Sequence, residues 1–433
     1  MSRLPVFAGL GSETLFSSSV VDQAVKDADN PEAQLLIKAC FQIFVEELDS
    51  ASGRSCGVDE KDFPTAESLL RPSTYYHHNA AIQHAFIFLI QLLRYLSVEG
   101  SITSKLLGAS GFCAGLLPAV AVATSKSSLE YLSRAQDCFR VAFKIGIASE
   151  QSRGPHANAD GELPWSLIVD KLSEEEAKRI ISEVCTSYSL PKYSPNRSFQ
   201  ASSPVYVSAR NTENCVSLSG EGATLRQFVD TKLPQRCRIR STNIFTLYHN
   251  SHALSEISAR VFQEIKEGGF SFPDASELVC PIFHTHDGSQ ITSAESSSSD
   301  QLLKRVLEMI FLESVDWVAV QDEILKSGRE ALAAGVPSVR VQNFGPGYGA
   351  LVYRKDLPKG MQVVDVAVSK TSTQKWAKDD IAIVGAGLDV PGAQMDYNIL
   401  WENIMNGINT CSKVCLTWRP CRNLKIIELI STT

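Results

Sequence analysis

One stretch constrains the fold more than any other: Gly111-Phe112-Cys113-Ala114-Gly115, preceded by Leu106-Leu107-Gly108-Ala109-Ser110 and followed by the apolar run Leu116 to Thr124. A cysteine between two glycines, where an apolar strand meets an apolar helix, suits a nucleophile raised on a sharp strand-to-helix turn. Such a turn crowds the backbone beside its central residue, and glycine relieves the crowding because it lacks Cβ. The N–H groups opening the helix then face the thiol, where they favour thiolate and can hold an oxyanion. Taken alone, the motif also fits a small residue packed at a tight turn. Its surroundings must decide.

A strand, a turn and a helix in that order predict an α/β fold with a parallel sheet. Other segments agree. Residues 4–10 read as a buried strand running into a Gly9-Leu10-Gly11-Ser12 turn, and Val339 to Gly347 as a final strand and turn. Helical spacing covers Pro31 to Leu48, and Ala80 to Leu96 is so apolar (Ile82, Phe86, Leu89, Leu93) that it predicts a buried helix. After a loop-like stretch from Ser149 to Leu163 the texture changes. A helix over Ser173 to Tyr188, strands at Val205 and Cys215, and a helix from Ala223 predict a small inserted α+β unit. Helices over Leu254 to Glu267 and Gln301 to Phe311 follow.

Composition narrows the function classes. A net charge of −7 argues against a general nucleic-acid surface or an anionic-membrane surface. No run approaches the ~18 apolar residues of a membrane span, and the opening residues have too short an apolar run for a secretory signal. The eleven cysteines are scattered and odd in number, so they read as reduced thiols of a cytoplasmic protein. His284-Thr285-His286 lacks a third ligand at a sensible spacing, so no metal is expected. Gly385-Ala386-Gly387 follows a strand-like run, but too little chain remains for a dinucleotide-binding unit.

Five segments in order resemble one family. Phe7 to Ser12 is similar to the FxGQGS opening of acyl-carrier-protein acyltransferases. Gly111 to Gly115 resembles their GxSxG elbow with cysteine for serine, and Val207 to Gly220 their subdomain strand pair. Tyr248-His249-Asn250-Ser251-His252 resembles their histidine segment, and Asn343 to Gly347 their closing turn. Cysteine at the elbow with a YHxxH segment is the pattern of the starter-unit acyl-carrier-protein transacylase domain that opens fungal non-reducing polyketide synthases. Lys378 to Gly407 resembles the start of the β-ketoacyl synthase that follows it.

The resemblance implies an acyltransferase-like fold: a large α/β-hydrolase-like subdomain with a parallel sheet plus a small inserted ferredoxin-like α+β subdomain at about 152–240. The transferase would occupy 1–360, a linker 361–378, a synthase remnant 379–415 and an aberrant tail 416–433, as in a truncated chain. Cys113 would be the nucleophile and His249, in preference to His252, the base, oriented by a backbone carbonyl. Backbone N–H groups of Ala114 and Leu10 would hold the oxyanion. In malonyl-loading relatives an arginine before a glycine clamps the free carboxylate. Here that position is Ile145, before Gly146, which implies an acyl pocket for a neutral starter. Expected substrates are acyl-CoA or an acyl-phosphopantetheine carrier, with no bound cofactor. Expected partners are a phosphopantetheinylated acyl carrier protein and a donor fatty-acid or polyketide synthase. Two alternatives stand beside this reading: an α/β-type thioesterase or hydrolase with a cysteine nucleophile, and an inactive fragment.

Overall fold

A computed structural model describes residues 1–12, 14–99, 105–153, 163–187, 205–295, 300–347 and 357–367. In chain order these form β1 (Ser2–Phe7), α1 (Ser18–Asp27), α2 (Pro31–Leu48), α3 (Ala80–Glu99), β2 (Ser110–Gly111), α4 (Leu116–Ala123) and α5 (Ser128–Arg153). Then come β3 (Ser166–Asp170), α6 (Glu174–Ser187), β4 (Val205–Thr212), β5 (Cys215–Gly220), α7 (Gly222–Lys232) and β6 (Arg238–Ser241). The last group is α8 (Ser251–Glu267), β7 (Ile282–Phe283), β8 (Gln290–Ile291), α9 (Asp300–Phe311), β9 (Val315–Asp316), α10 (Trp317–Ala333), β10 (Val339–Asn343) and β11 (Met361–Asp365). All of the described residues belong to one compact unit, Met1–Lys370. The synthase remnant and tail read at 379–415 and 416–433 lie outside the described residues.

The main sheet runs β11-β10-β1-β2, with every pairing parallel. Parallel strands are covered on both faces, which is why β1 is almost continuously apolar. Leu4 and Val6 pack with Trp317, Val320 and Ile324 of α10, whereas Phe7 joins the larger core built on α2 to α5. Residues 361–365, expected in a linker, are instead strand β11, paired with β10 from Val339↔Met361 to Asn343↔Asp365. An edge strand needs only a few residues with one side against a neighbour, so Met361-Gln362-Val363-Val364 suffices, and the linker cannot begin at 361.

Helix α3 passes the length and hydropathy criteria for a membrane span, contrary to the sequence expectation, yet 89% of its apolar window is buried inside the fold. Its polar residues explain the interior placement. Gln91 donates to the carbonyls of Ala8 (2.7 Å) and Gly345, and Arg94 pairs with Asp27 of α1 at 3.0 Å. Helix α5 lies close against α3 because Gly146 has no side chain: a Cβ there would stand 2.6 Å from Ala81 Cα.

The second sheet has the order β6-β3-β5-β4-β9. Its first four strands, joined through α6 and α7, give the βαββαβ succession and antiparallel pairing of a ferredoxin-like unit. The fifth comes from beyond that unit: β9 pairs parallel to β4 at Ala209↔Val315, tying the two layers together. Alternation along β5 sets the faces, with Val216 and Leu218 in the small core beneath α6 and α7. Cys215, Ser217 and Ser219 point the other way, into a cavity.

Candidate active site

The elbow is built by close backbone approach. Phe112 N–H donates to Phe7 O at 2.8 Å, so the residue before Cys113 is fastened to the end of β1. A Cβ on Gly111 would meet Gly115 O at 2.1 Å, and one on Gly115 would meet Phe7 O at 2.3 Å. Neither position admits a side chain unless the backbone moves. Cys113 itself has φ +50°, a left-handed conformation that a non-glycine residue holds only when its surroundings impose it. Gly115→Ala is therefore expected to lower stability by about 3 kcal/mol, the upper end of overpacking costs. A thermal melt checks it; an unchanged Tm would mean that the elbow relaxes freely.

The turn after β1 lies directly on the elbow: a Cβ on Gly9 would be 2.7 Å from Phe112 O and 3.3 Å from Cys113 Cβ. Leu10 follows in that turn and, like Cys113, lines the cavity. Ala114 is the middle residue of the 3-10 turn Cys113–Gly115 that leads into α4. Burial pushes the Cys113 thiol up to about 12, with the Ala114 N–H pulling in the opposite direction.

His249 arrives from the other side, on the segment before α8. Its φ is +59°, and the next residue, Asn250, caps α8 by accepting from the N–H groups of His252 and Ala253. The imidazole is 7% exposed, and Nδ1 lies 2.8 Å from the carbonyl oxygen of Glu313. A carbonyl can only accept, so Nδ1 carries the proton and Nε2 is the basic atom. Burial draws this imidazole down to about 4, against the carbonyls of Glu313 and Met309 and the Glu313 carboxylate. At neutral pH the resting groups are a thiol and a neutral imidazole. The peptide before His249 is held as well: Tyr206 of β4 donates to Tyr248 O at 2.6 Å, and Tyr248 Oη meets His84 Nε2 at 2.9 Å.

Cys113, Leu10 and His249 open onto one cavity of about 690 Å³. Its far wall is the polar face of the small sheet, with Ser208, Ser217, Ser219 and Asn211 among the contributors. Arg240 on this wall is engaged with Asp170 through two contacts of 2.9 Å. Among the described residues no group of three or more His, Cys, Asp or Glu side chains forms a metal cluster.

Residues 11–249 match the family described as "Starter unit:ACP transacylase in aflatoxin biosynthesis". The chain belongs to this family. Its curated relatives include the orsellinic acid synthase of Beauveria bassiana (32% identical over 95% of this chain and 19% of that protein). Another is the orsellinic acid synthase armB of Armillaria mellea (29%, over 95% of this chain and 19% of that protein). The chain thus spans about a fifth of the length of these relatives. Among solved structures it is similar to a malonyl-CoA:acyl-carrier-protein transacylase, MCAT, from Mycobacterium tuberculosis (TM-score 0.55, 12% identity, 85% of this chain and 97% of that one). It is also similar to a loading acyltransferase of the avermectin modular polyketide synthase (TM-score 0.53, 13% identity, 84% of this chain and 93% of that one). These likenesses show that the transacylase has the acyltransferase fold.

Not every residue singled out from the sequence of this transacylase reaches the cavity. Ile145 is fully buried in the core of α2 to α5 and is absent from the cavity wall, so the structure gives it no contact with an acyl group. Its direction follows from Gly146: the side of α5 that presses on α3 is filled by core residues. Arg140 and Lys144, the nearest cations on α5, both pair with Glu47 of α2, at 2.5 and 2.7 Å. His252 sits exposed in the first turn of α8. The resemblance implies a backbone carbonyl beside His249 without saying which residue supplies it; the structure identifies Glu313, and it adds Tyr206, which sequence reasoning missed. A carbonyl has no residue-type signature, and Tyr206 stands in an ordinary strand pattern.

Proposed function

We propose that this transacylase takes a neutral acyl starter from an acyl-CoA or acyl-phosphopantetheine donor, holds it on Cys113 as a thioester, and passes it to the phosphopantetheine thiol of a polyketide synthase's acyl carrier protein. The observation that carries the reading is the pairing of a left-handed elbow cysteine with a tautomerically fixed histidine on one cavity, in a chain of this family. His249 Nε2 takes the thiol proton as Cys113 attacks the donor thioester, then returns it to the departing thiol. With the carrier thiol in the cavity the same nitrogen acts in reverse, which makes the cycle ping-pong. Backbone N–H groups of Ala114 and Leu10 are assigned to the oxyanion of both tetrahedral intermediates. We place the reaction in the cytoplasm, in keeping with seven free cysteines among the described residues.

The neutral starter rests on the cations. A free carboxylate in a partly desolvated site calls for a bidentate arginine. Of the two cations on the cavity wall, Arg240 is already engaged with Asp170, and Lys171 is a lysine, which cannot form the bidentate clamp; Arg140 and Lys144 pair with Glu47. Acetyl-, hexanoyl- and malonyl-thioesters offered in competition should label Cys113 with acetyl or hexanoyl in preference. Preferred malonyl loading would overturn this part. Measuring free thiol with and without carrier protein separates transfer from hydrolysis: thiol released at the same rate without carrier would favour a hydrolase.

A further inference from the structure

His284-Thr285-His286, set aside as a metal pair, has another place in the fold. This turn grips the segment 313–316, which supplies the carbonyl that orients His249. His286 Nδ1 donates to Ser314 O at 2.8 Å, and Asp316 N–H donates to Thr285 O at 2.9 Å. His284, 1% exposed, lies between two carboxylates: Nδ1 is 3.2 Å from Asp287 Oδ1 and Nε2 is 3.1 Å from Glu313 Oε2. The His286 N–H also approaches Nδ1, at 3.4 Å, and Nε2 is the nitrogen that faces Glu313. His284 Nε2 and Glu313 Oε2 lie 3.1 Å apart in a close contact that lacks the alignment of a hydrogen bond, and neither has a hydrogen-bond partner among the described residues. Separating these buried polar atoms would remove the polar neighbour that each has in the other.

The contacts surround one atom. The Glu313 side chain is held by His284 and, on its other oxygen, by Arg305 at 3.2 Å. The next residue is held through its carbonyl by His286, and the residue opening α10 through its N–H by Thr285. The peptide between Glu313 and Ser314 therefore has little freedom to rotate, and its oxygen is the acceptor for His249 Nδ1–H. We propose that His284 and His286 are positioning residues that fix the tautomer and direction of His249 through the Glu313 carbonyl. The proposal rests on His249 as the base, but its geometry can be read without the reaction.

The test uses the full chain with ¹⁵N-labelled histidine, the His249 signals being identified by difference against His249→Ala. Native protein should show a single His249 Nδ1–H tautomer. In His284→Leu that signature should be lost, and acetylation of Cys113 by acetyl-coenzyme A should slow by about 10- to 100-fold, the scale of small misplacements in a catalytic pair. His284→Gln, which keeps a side-chain N–H for Glu313, should restore much of both. His286→Ala, a change at an exposed position, should perturb the same His249 signal to a smaller extent. A His249 signal that stays native in folded His284→Leu or, should that variant fail to fold, in His286→Ala would overturn the proposal. Native protein that keeps the tautomer but never acetylates Cys113 would remove the proposed function alone; loss of the tautomer in the variants would still support the positioning role.

Discussion

Cys113→Ala is expected to abolish acyl loading while the protein keeps its fold. The elbow tolerates alanine at this position because the crowding there falls on the glycines: it is Gly111 and Gly115 whose missing Cβ atoms leave room for Gly115 O and Phe7 O. Alanine keeps the Cβ that Cys113 places in the core, and the sulfur removed lies at the wall of a cavity. Removing it deletes the only atom assigned to carry the acyl group, so no slower thioester route remains. Intact-protein mass spectrometry after incubation with acetyl-coenzyme A, with circular dichroism on the same sample, checks both halves. A folded Cys113→Ala protein that still gains an acyl group would refute the nucleophile. Cys113→Ser should keep slow activity, because a hydroxyl depends on the base more heavily than a thiol does.

The second large effect concerns His249. His249→Ala should slow acylation of Cys113 by roughly 10²- to 10⁴-fold, the usual contribution of a general base. The thiol makes this dependence strong: burial lifts Cys113 to about 12, so almost no thiolate exists at neutral pH unless a base removes the proton in the attack itself. His252→Ala should do far less, since its side chain is exposed and its backbone N–H is the part that the Asn250 cap uses. The sign of the pH dependence follows from the direction of the histidine shift. His249 is drawn down to about 4, so it stays a neutral base as pH falls through the ordinary histidine range. The acylation rate should hold through pH 6 and be lost only as pH approaches about 4, when Nε2 becomes protonated. A rate profile with its acid limb near pH 6.5, the unperturbed histidine value, would show that the imidazole is more hydrated than its burial implies.

The parts of this fold legible in the sequence are those in which one local pattern decides the structure. Helix α3 announces itself through Ile82, Phe86, Leu89 and Leu93, and the elbow through its two glycines. The β3 to β6 unit shows as alternating strands between helical stretches. What escaped depends on distant partners. Strand β9 is two residues long and exists because β4 lies beside it. Strand β11 reads as linker until β10 is seen next to it. Helix α5 runs through to Arg153, past the point where glutamate, glutamine and serine suggest a loop. That end is held by tertiary bonds: Glu150 accepts from Ala80 N–H at 2.7 Å, and Arg153 donates to His78 O at 3.0 Å.

The site divides in the same way. Cysteine and histidine could be chosen by type and spacing. Ile145 stands out in the sequence by its place before a glycine, but the packing of Gly146 against Ala81 turns that part of α5 into core. The Glu313 carbonyl could not be chosen at all, because every residue has one and only the fold brings this one to His249.

The central claim is that the acyl group passes through the sulfur of Cys113. Peptide mapping of the full chain after brief exposure to acetyl-coenzyme A, followed by a chase with phosphopantetheinylated acyl carrier protein, tests it most directly. The account predicts an acetyl group on the peptide bearing Cys113, labile as a thioester, that disappears during the chase as the same group appears on the carrier. An acetyl group on any other residue that turns over at the same rate, or transfer to the carrier with Cys113 never modified, would contradict it.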